Sequence, residues 1–164
     1  RLSIDTVQGE KEGYLGAINV DPEYRGKAKN MVSYKDGTGN EKPLAAQLVA
    51  AALAKSHEPE VNCRTVLADV ASDNPDAAKS IGALLKAGFV LDKFQLIETS
   101  GGGSKVRFML IEQPDASSER GADETQLINF ADLDKITVAL SGQWEGVRML
   151  RRDDEYFLEV RGTN

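Results

Sequence analysis

Val20-Asp-Pro-Glu-Tyr-Arg-Gly-Lys27, set directly after the strand-like Gly13-Tyr-Leu-Gly-Ala-Ile-Asn19, decides how the rest of this chain is read. An apolar, extended run ends there in a sharp, basic, glycine-containing turn. Such a turn presents backbone N–H groups to a phosphate, and the positive end of a following helix adds to the attraction. Arg25 and Lys27 supply charge, Gly26 and Ala28 let the backbone approach, and Gly37-Thr-Gly39 lies just ahead of Pro43, where a helix opens. A surface loop with ordinary glycine turns is the competing reading, because a lone glycine-rich stretch is not specific.

Upstream of that turn, Leu2 to Gln8 alternates apolar and polar residues, and a turn over Gly9-Glu-Lys-Glu12 leads into a second strand from Tyr14 to Val20, so a hairpin is expected. Downstream, Pro43 suits a first helical turn because its missing N–H is unpaired there in any helix. The alanine-rich stretch Leu44 to Ser56 puts Leu44, Leu48, Val49, Ala52 and Leu53 on one stripe. Cys63 to Val70 is a short β-branched run that reads as an interior strand. Ser72-Asp-Asn-Pro75 starts a second helix that runs to Ala87 and stops at Gly88. Phe89 to Glu98 and Lys105 to Glu112 form two further strands around Thr99-Ser-Gly-Gly-Gly-Ser104.

The class expected is α/β (α+β), a mixed central sheet flanked by helices. Residues 1–113 are the core and 114–124 a linker rich in Pro, Ser, Asp and Gly. Residues 125–164 carry a short helix from Thr125 to Lys135, with Leu127, Ile128 and Leu133 inward. Strands follow at Ile136 to Leu140, Gly146 to Arg151 and Glu155 to Val160. This C-terminal part either completes the core or forms an appendage.

Composition narrows the partners. A net charge of −6 and a pI near 4.9 argue against nucleic acid and mildly favour a cationic substrate. No hydrophobic run approaches the ~18 residues that span a bilayer, so a soluble protein without a membrane partner is expected. Cys63 is the lone cysteine, which excludes an internal disulfide and a cysteine-based metal site and points to a reducing, cytoplasmic compartment. A homo-oligomer is compatible with all of this. The chain opens on Arg1 without a methionine or signal-like segment, and the expectation is a fragment whose upstream region is missing.

The order of parts resembles the GNAT family of N-acetyltransferases over roughly Gly13 to Gln113. The parts are a strand ending in Val20-Asp-Pro-Glu-Tyr-Arg-Gly-Lys27, a helix, a strand ending in Val70-Ala-Ser-Asp-Asn74, a helix ending in Lys86-Ala-Gly-Phe89, and two strands. The resemblance implies acetyl-CoA as cofactor, with its diphosphate on a loop of the form Arg/Gln-x-x-Gly-x-Gly/Ala. Arg25 fits that loop, Ala28 and Asn30 stand at its small positions, and Gly37 and Gly39 restore the small-x-small spacing after an insertion. The resemblance further implies that the strand holding Ile18 and Val20 pairs its backbone with the pantetheine arm, having diverged from the strand Thr65 to Val70. Asn74 matches the asparagine that bonds the pantetheine; capping the helix at Pro75 is its alternative role.

Acetyl transfer to an amine needs a base for the nucleophile's proton and benefits from an acid at the departing thiolate. Family members often carry that acid as a tyrosine four residues before the glycine of the Gly-Phe pair, and here that position is Leu84. Tyr34, with Tyr14 and Tyr24, is the substitute candidate. Glu12 and Asp69, with Glu10, are the candidate bases. His57 reads as a helix-exit partner of the dipole, Cys63 as a small buried filler and Trp144 as a packing anchor. The function so implied is transfer of acetyl to an amine of a small molecule or a protein. The alternative is a module that keeps the acyltransferase fold without catalysis and binds or regulates a partner.

Overall fold

A computed structural model describes residues 2–16, 44–113 and 124–163. Among them are eight strands and three helices, so the chain adopts the α+β class expected. It divides into two compact units, Arg1–Val66 and Leu67–Asn164.

In the first unit, β1 (Leu2–Val7) and β2 (Glu10–Leu15) pair antiparallel from Leu2↔Leu15 to Val7↔Glu10. The turn is two residues, Gln8 and Gly9, both with positive φ (52° and 86°). Two left-handed residues in succession match the right-handed twist of the strands they join. Glu10, Lys11 and Glu12, expected in the turn, therefore belong to β2, a displacement that a glutamine at a left-handed position concealed. Helix α1 (Leu44–Ser56) buries Val49 and Ser56 completely, while Leu48 is 43% exposed. Its inward face is thus rotated toward Val49 from the stripe the sequence suggests. Cys63 is buried as a filler, with its Sγ 3.4 Å from where a Cβ on Gly13 would stand.

The second unit takes most of β3 (Thr65–Ala71), then α2 (Ala77–Lys86), β4 (Phe89–Glu98) and β5 (Ser104–Glu112). It continues with β6 (Thr125–Asn129), α3 (Leu133–Ser141), β7 (Trp144–Arg152) and β8 (Glu155–Gly162). Strand order is β3-β5-β4-β7-β8-β6, with antiparallel ladders throughout. Alternate residues Val66, Ala68 and Val70 of β3, and Val106, Phe108 and Leu110 of β5, are buried. That period of two is the strand signal read from the sequence.

Between β4 and β7 the ladder is one pair long, Leu91↔Gly146, and both strands shift register immediately beside it. From there β7 runs along α2, where a Cβ on Gly82 would stand 3.2 Å from Met149. A Cβ on Gly146 would lie 2.9 Å from Leu91 Cβ and 3.0 Å from Leu158, so only glycine fits.

The C-terminal expectation needs correction. Thr125 to Asn129 is a strand on the edge of β8, and the helix comes later, absorbing Ile136 to Leu140, which was expected as a strand. Asn129 Oδ1 accepts from Ala131 N at 2.9 Å, and Asp132 Oδ1 accepts from Lys135 N at 3.2 Å. These bonds end the strand and cap the helix, which then buries Ile136 and Leu140 one turn apart. The β-branched Ile-Thr-Val run favours a strand locally, but packing of that one face overrides it. The linker residues 114–123 lie outside the described residues.

Candidate functional site

Beyond β3 the chain turns sharply at Ser72-Asp-Asn-Pro75. Ser72 fastens the turn to β5 twice: its N–H donates to Val106 O at 2.8 Å, and its Oγ accepts from Val106 N at 3.1 Å. Asn74 N–H donates to Ala71 O, Asn74 O accepts from Ala77 N, and Asn74 Oδ1 accepts from Asp76 N at 2.9 Å. That local turn uses up Pro75 and Asp76, so α2 begins at Ala77, two residues after the Pro75 start expected. Asp76 at the N-cap position makes no side-chain cap and instead pairs with Lys79 at 2.8 Å. This hydrogen bond, with the Asp76 charge behind it, holds the Lys79 ammonium above the usual lysine range.

Against this helix start, within the same unit, lie the β6–α3 connection and the β7–β8 turn. Together they enclose a cleft of about 490 Å³ lined by Ser72, Asn74, Lys79, Phe130, Asp154, Glu155 and Tyr156, among others. Phe130, one of its lining residues, packs its ring on the buried Phe108, ring centroids 5.7 Å apart. Its N–H donates to Tyr156 O at 2.8 Å. The β7–β8 turn has Asp153 and Asp154 at positive φ, which swings β8 back so that Tyr156 enters the cleft wall. The Arg151 guanidinium carbon stands 5.9 Å from the Tyr156 ring centre, and Arg151 pairs with Asp154. A carboxamide, a phenol, an ammonium paired with Asp76 and the carboxylates of Asp154 and Glu155 thus share a half-open cavity with an aromatic wall, a combination that can hydrogen-bond a polar ligand.

The expected site residues are distributed as follows. Asn74 lines the cleft, and its side chain holds the turn through Asp76 N rather than capping a helix at Pro75, because α2 begins at Ala77 with Asp76 as its N-cap residue. Asp69, on β3 in the same unit, is 19% exposed, and its Oδ2 is 3.1 Å from Arg107 Nε. That Nε has no aligned acceptor, so the pair is one of charge proximity rather than a directed hydrogen bond. Any amine using Asp69 as a base must compete with this guanidinium. Glu12 sits half-buried on β2 opposite Asp5 in the first unit, and adjacent Glu10 forms an ion pair with Arg64. Glu10, through this hydrogen bond, raises the Arg64 guanidinium, and the Glu12 charge adds a smaller push. Tyr34, Ile18, Val20, Arg25, Gly26, Lys27, Ala28, Gly37 and Gly39 lie outside the described residues, as does the divergence expected beside Val20.

Leu84 is 5% exposed in the α2 core, so that position offers packing and no proton. Tyr156 and Phe130 were not foreseen. No spacing connects them to Asn74, because the three meet only through the return of β8 and the end of β6. Among the described residues no group of His, Cys, Asp and Glu is arranged to hold a metal, and no helix is long and apolar enough to cross a membrane. No protein-family model, curated protein or solved structure matches the chain.

Proposed function

We propose that this chain is an acetyl-CoA-dependent N-acetyltransferase that passes an acetyl group to an amine of a small molecule or a protein. The observation that carries the reading is Asn74. It stands at a tight turn between an interior strand and a helix start and faces a cleft, within a β3-α2-β4-β5 order in which β5 returns between β3 and β4. This placement supports an asparagine bonding an extended cofactor arm as well as holding its turn. In this reading Arg25, Gly26, Lys27, Ala28, Gly37 and Gly39 cradle the diphosphate, and the backbone of Ile18 and Val20 pairs with the pantetheine. Glu12 or Asp69 takes the proton of the attacking amine, with Tyr34 a donor to sulfur. The single cysteine and acidic surface suit a cytoplasmic protein with a cationic acceptor, as a monomer or a homo-oligomer.

A titration with acetyl-CoA followed by thermal melting, then thiol release across a panel of amines, tests the proposal. Acetyl-CoA raising Tm together with amine-dependent release of CoA is the expected result, and the absence of any Tm shift rejects it. The buried Leu84 favours a second reading, a non-catalytic module of the same fold that binds the cofactor without turning it over. Stabilisation with no thiol released across the panel is its signature.

A further inference from the structure

We propose that β6 is a self-pairing edge, through which a second copy of this chain joins antiparallel about a two-fold axis at Leu127 and extends the sheet of the second unit. β6 ends the strand order, and among the described residues no strand lies on its outer side. Its bonds to β8 fix which backbone groups point outward. Gly162 N–H donates to Glu124 O at 3.1 Å, and Phe130 N–H donates to Tyr156 O at 2.8 Å. In the unbroken register between those two bonds, Gln126 and Ile128 turn their N–H and C=O toward Val160 and Leu158. Thr125, Leu127 and Asn129 alternate with them and turn theirs away from β8. Asn129 O is taken by Asp132 N at 2.9 Å. The N–H and C=O of Thr125 and Leu127, with the N–H of Asn129, form a row that another strand completes.

That row is complementary to itself. A two-fold axis perpendicular to the sheet pairs outward positions with outward positions when it passes through Leu127. Each Leu127 N–H then donates to the Leu127 O of the other copy, and each Asn129 N–H donates to the Thr125 O of the other copy. On the same face Leu127, 40% exposed, covers its own counterpart, and Thr125 stands opposite Asn129, a polar pair. Natural edges are kept apart by charges, prolines and bulges, and none of these interrupts Thr125–Asn129. Glu159, opposite Leu127 on β8, is neutralised by Arg148 at 2.6 Å. Two chains of net charge −6 therefore bring no unpaired charge beside Leu127 at the axis. Five residues from each copy cover less than the roughly 800 Å² per partner of a standard interface, so a dissociation constant on the order of 10⁻⁴ M is expected.

The test uses the full chain, with sedimentation and amide exchange followed from about 10 μM to about 1 mM, a range that brackets this constant. The expected result is a monomer passing into a dimer, while exchange at Leu127 and Asn129 slows several-fold. Exchange at Gln126 and Ile128, already bonded to β8, should not change with concentration. Leu127→Pro deletes an outward N–H that β8 does not use, and Leu127→Lys sets two ammonium groups against each other at the axis. Both are expected to remain monomers throughout the range, and the lysine variant covers the case in which the proline variant folds poorly. A wild-type chain that stays monomeric overturns the proposal and leaves the edge to an extended peptide of another protein. A dimer that either folded variant retains, or one whose formation leaves exchange at Leu127 and Asn129 unaltered, also overturns it.

Discussion

At Asn74 mutation can separate the observed use of the side chain, holding its turn, from the proposed one, binding the cofactor. Its Oδ1 accepts from Asp76 N, and in the transferase reading its amide hydrogens bond the cofactor arm. Asn74→Ala removes both, so we expect stability to fall by about 0.5–1.5 kcal/mol in urea melts and acetyl-CoA affinity to fall with it. Asn74→Asp keeps the acceptor and deletes the donor. Stability should hold while affinity drops in a calorimetric titration; equal affinity would confine Asn74 to its turn. Gly146 makes a second residue-scale prediction. A methyl group there meets Leu91 Cβ at 2.9 Å, so Gly146→Ala should cost about 1–3 kcal/mol, read from the denaturant midpoint at unchanged slope. That Asn74 stands at a break between a strand and a helix was legible beforehand because its neighbours in sequence are also its neighbours in space, although its side chain holds a turn instead of the expected cap at Pro75. Nothing around Gly146 in the sequence reports Leu91, so the reason for that glycine was not.

Among the elements, those governed by local chemistry were read almost to the residue: α1, α2 up to Gly88 at φ 99°, and the strands β4 and β5. The exception is the stretch that became β6 and α3, where Asn129 and Asp132 set the boundary. Asp132 also makes that boundary sensitive to acid. The hydrogen bond from the Lys135 side chain, followed by the one from the Lys135 backbone, holds its carboxyl below the usual aspartate range. A group depressed in the folded state stabilises above its unfolded value, about 3.9, and loses that contribution as pH falls through the lower folded value. We therefore expect amide exchange at Lys135 to quicken in that acid window. Asp132→Asn should retain a capping oxygen but abolish this acid dependence, whereas Asp132→Ala should lower Tm at every pH measured.

For the molecule as a whole, the informative boundary is Val66/Leu67. Residues 125–164 share a unit with most of β3 and with α2, β4 and β5; Gly146 pairs with Leu91, and Phe130 packs on Phe108. Deleting residues 115–164 removes these partners and half of the cleft wall. The remainder should lose the dispersed NMR signals of Leu91 and Phe108 and bind a hydrophobic dye; a remainder that melts cooperatively with full activity contradicts this. Periodicity, caps and turn chemistry are short-range properties, so the amino-acid order by itself determined the α+β class, the helices α1 and α2 and the break between strand and helix around Pro75. Bringing Tyr156 and Phe130 to Asn74, burying Ile136 in a helix rather than a strand, and requiring glycine at position 146 depended on contacts between segments far apart in the chain. Such contacts are set by which apolar faces can close on one another, and that was decided only when the β7–β8 hairpin packed along α2.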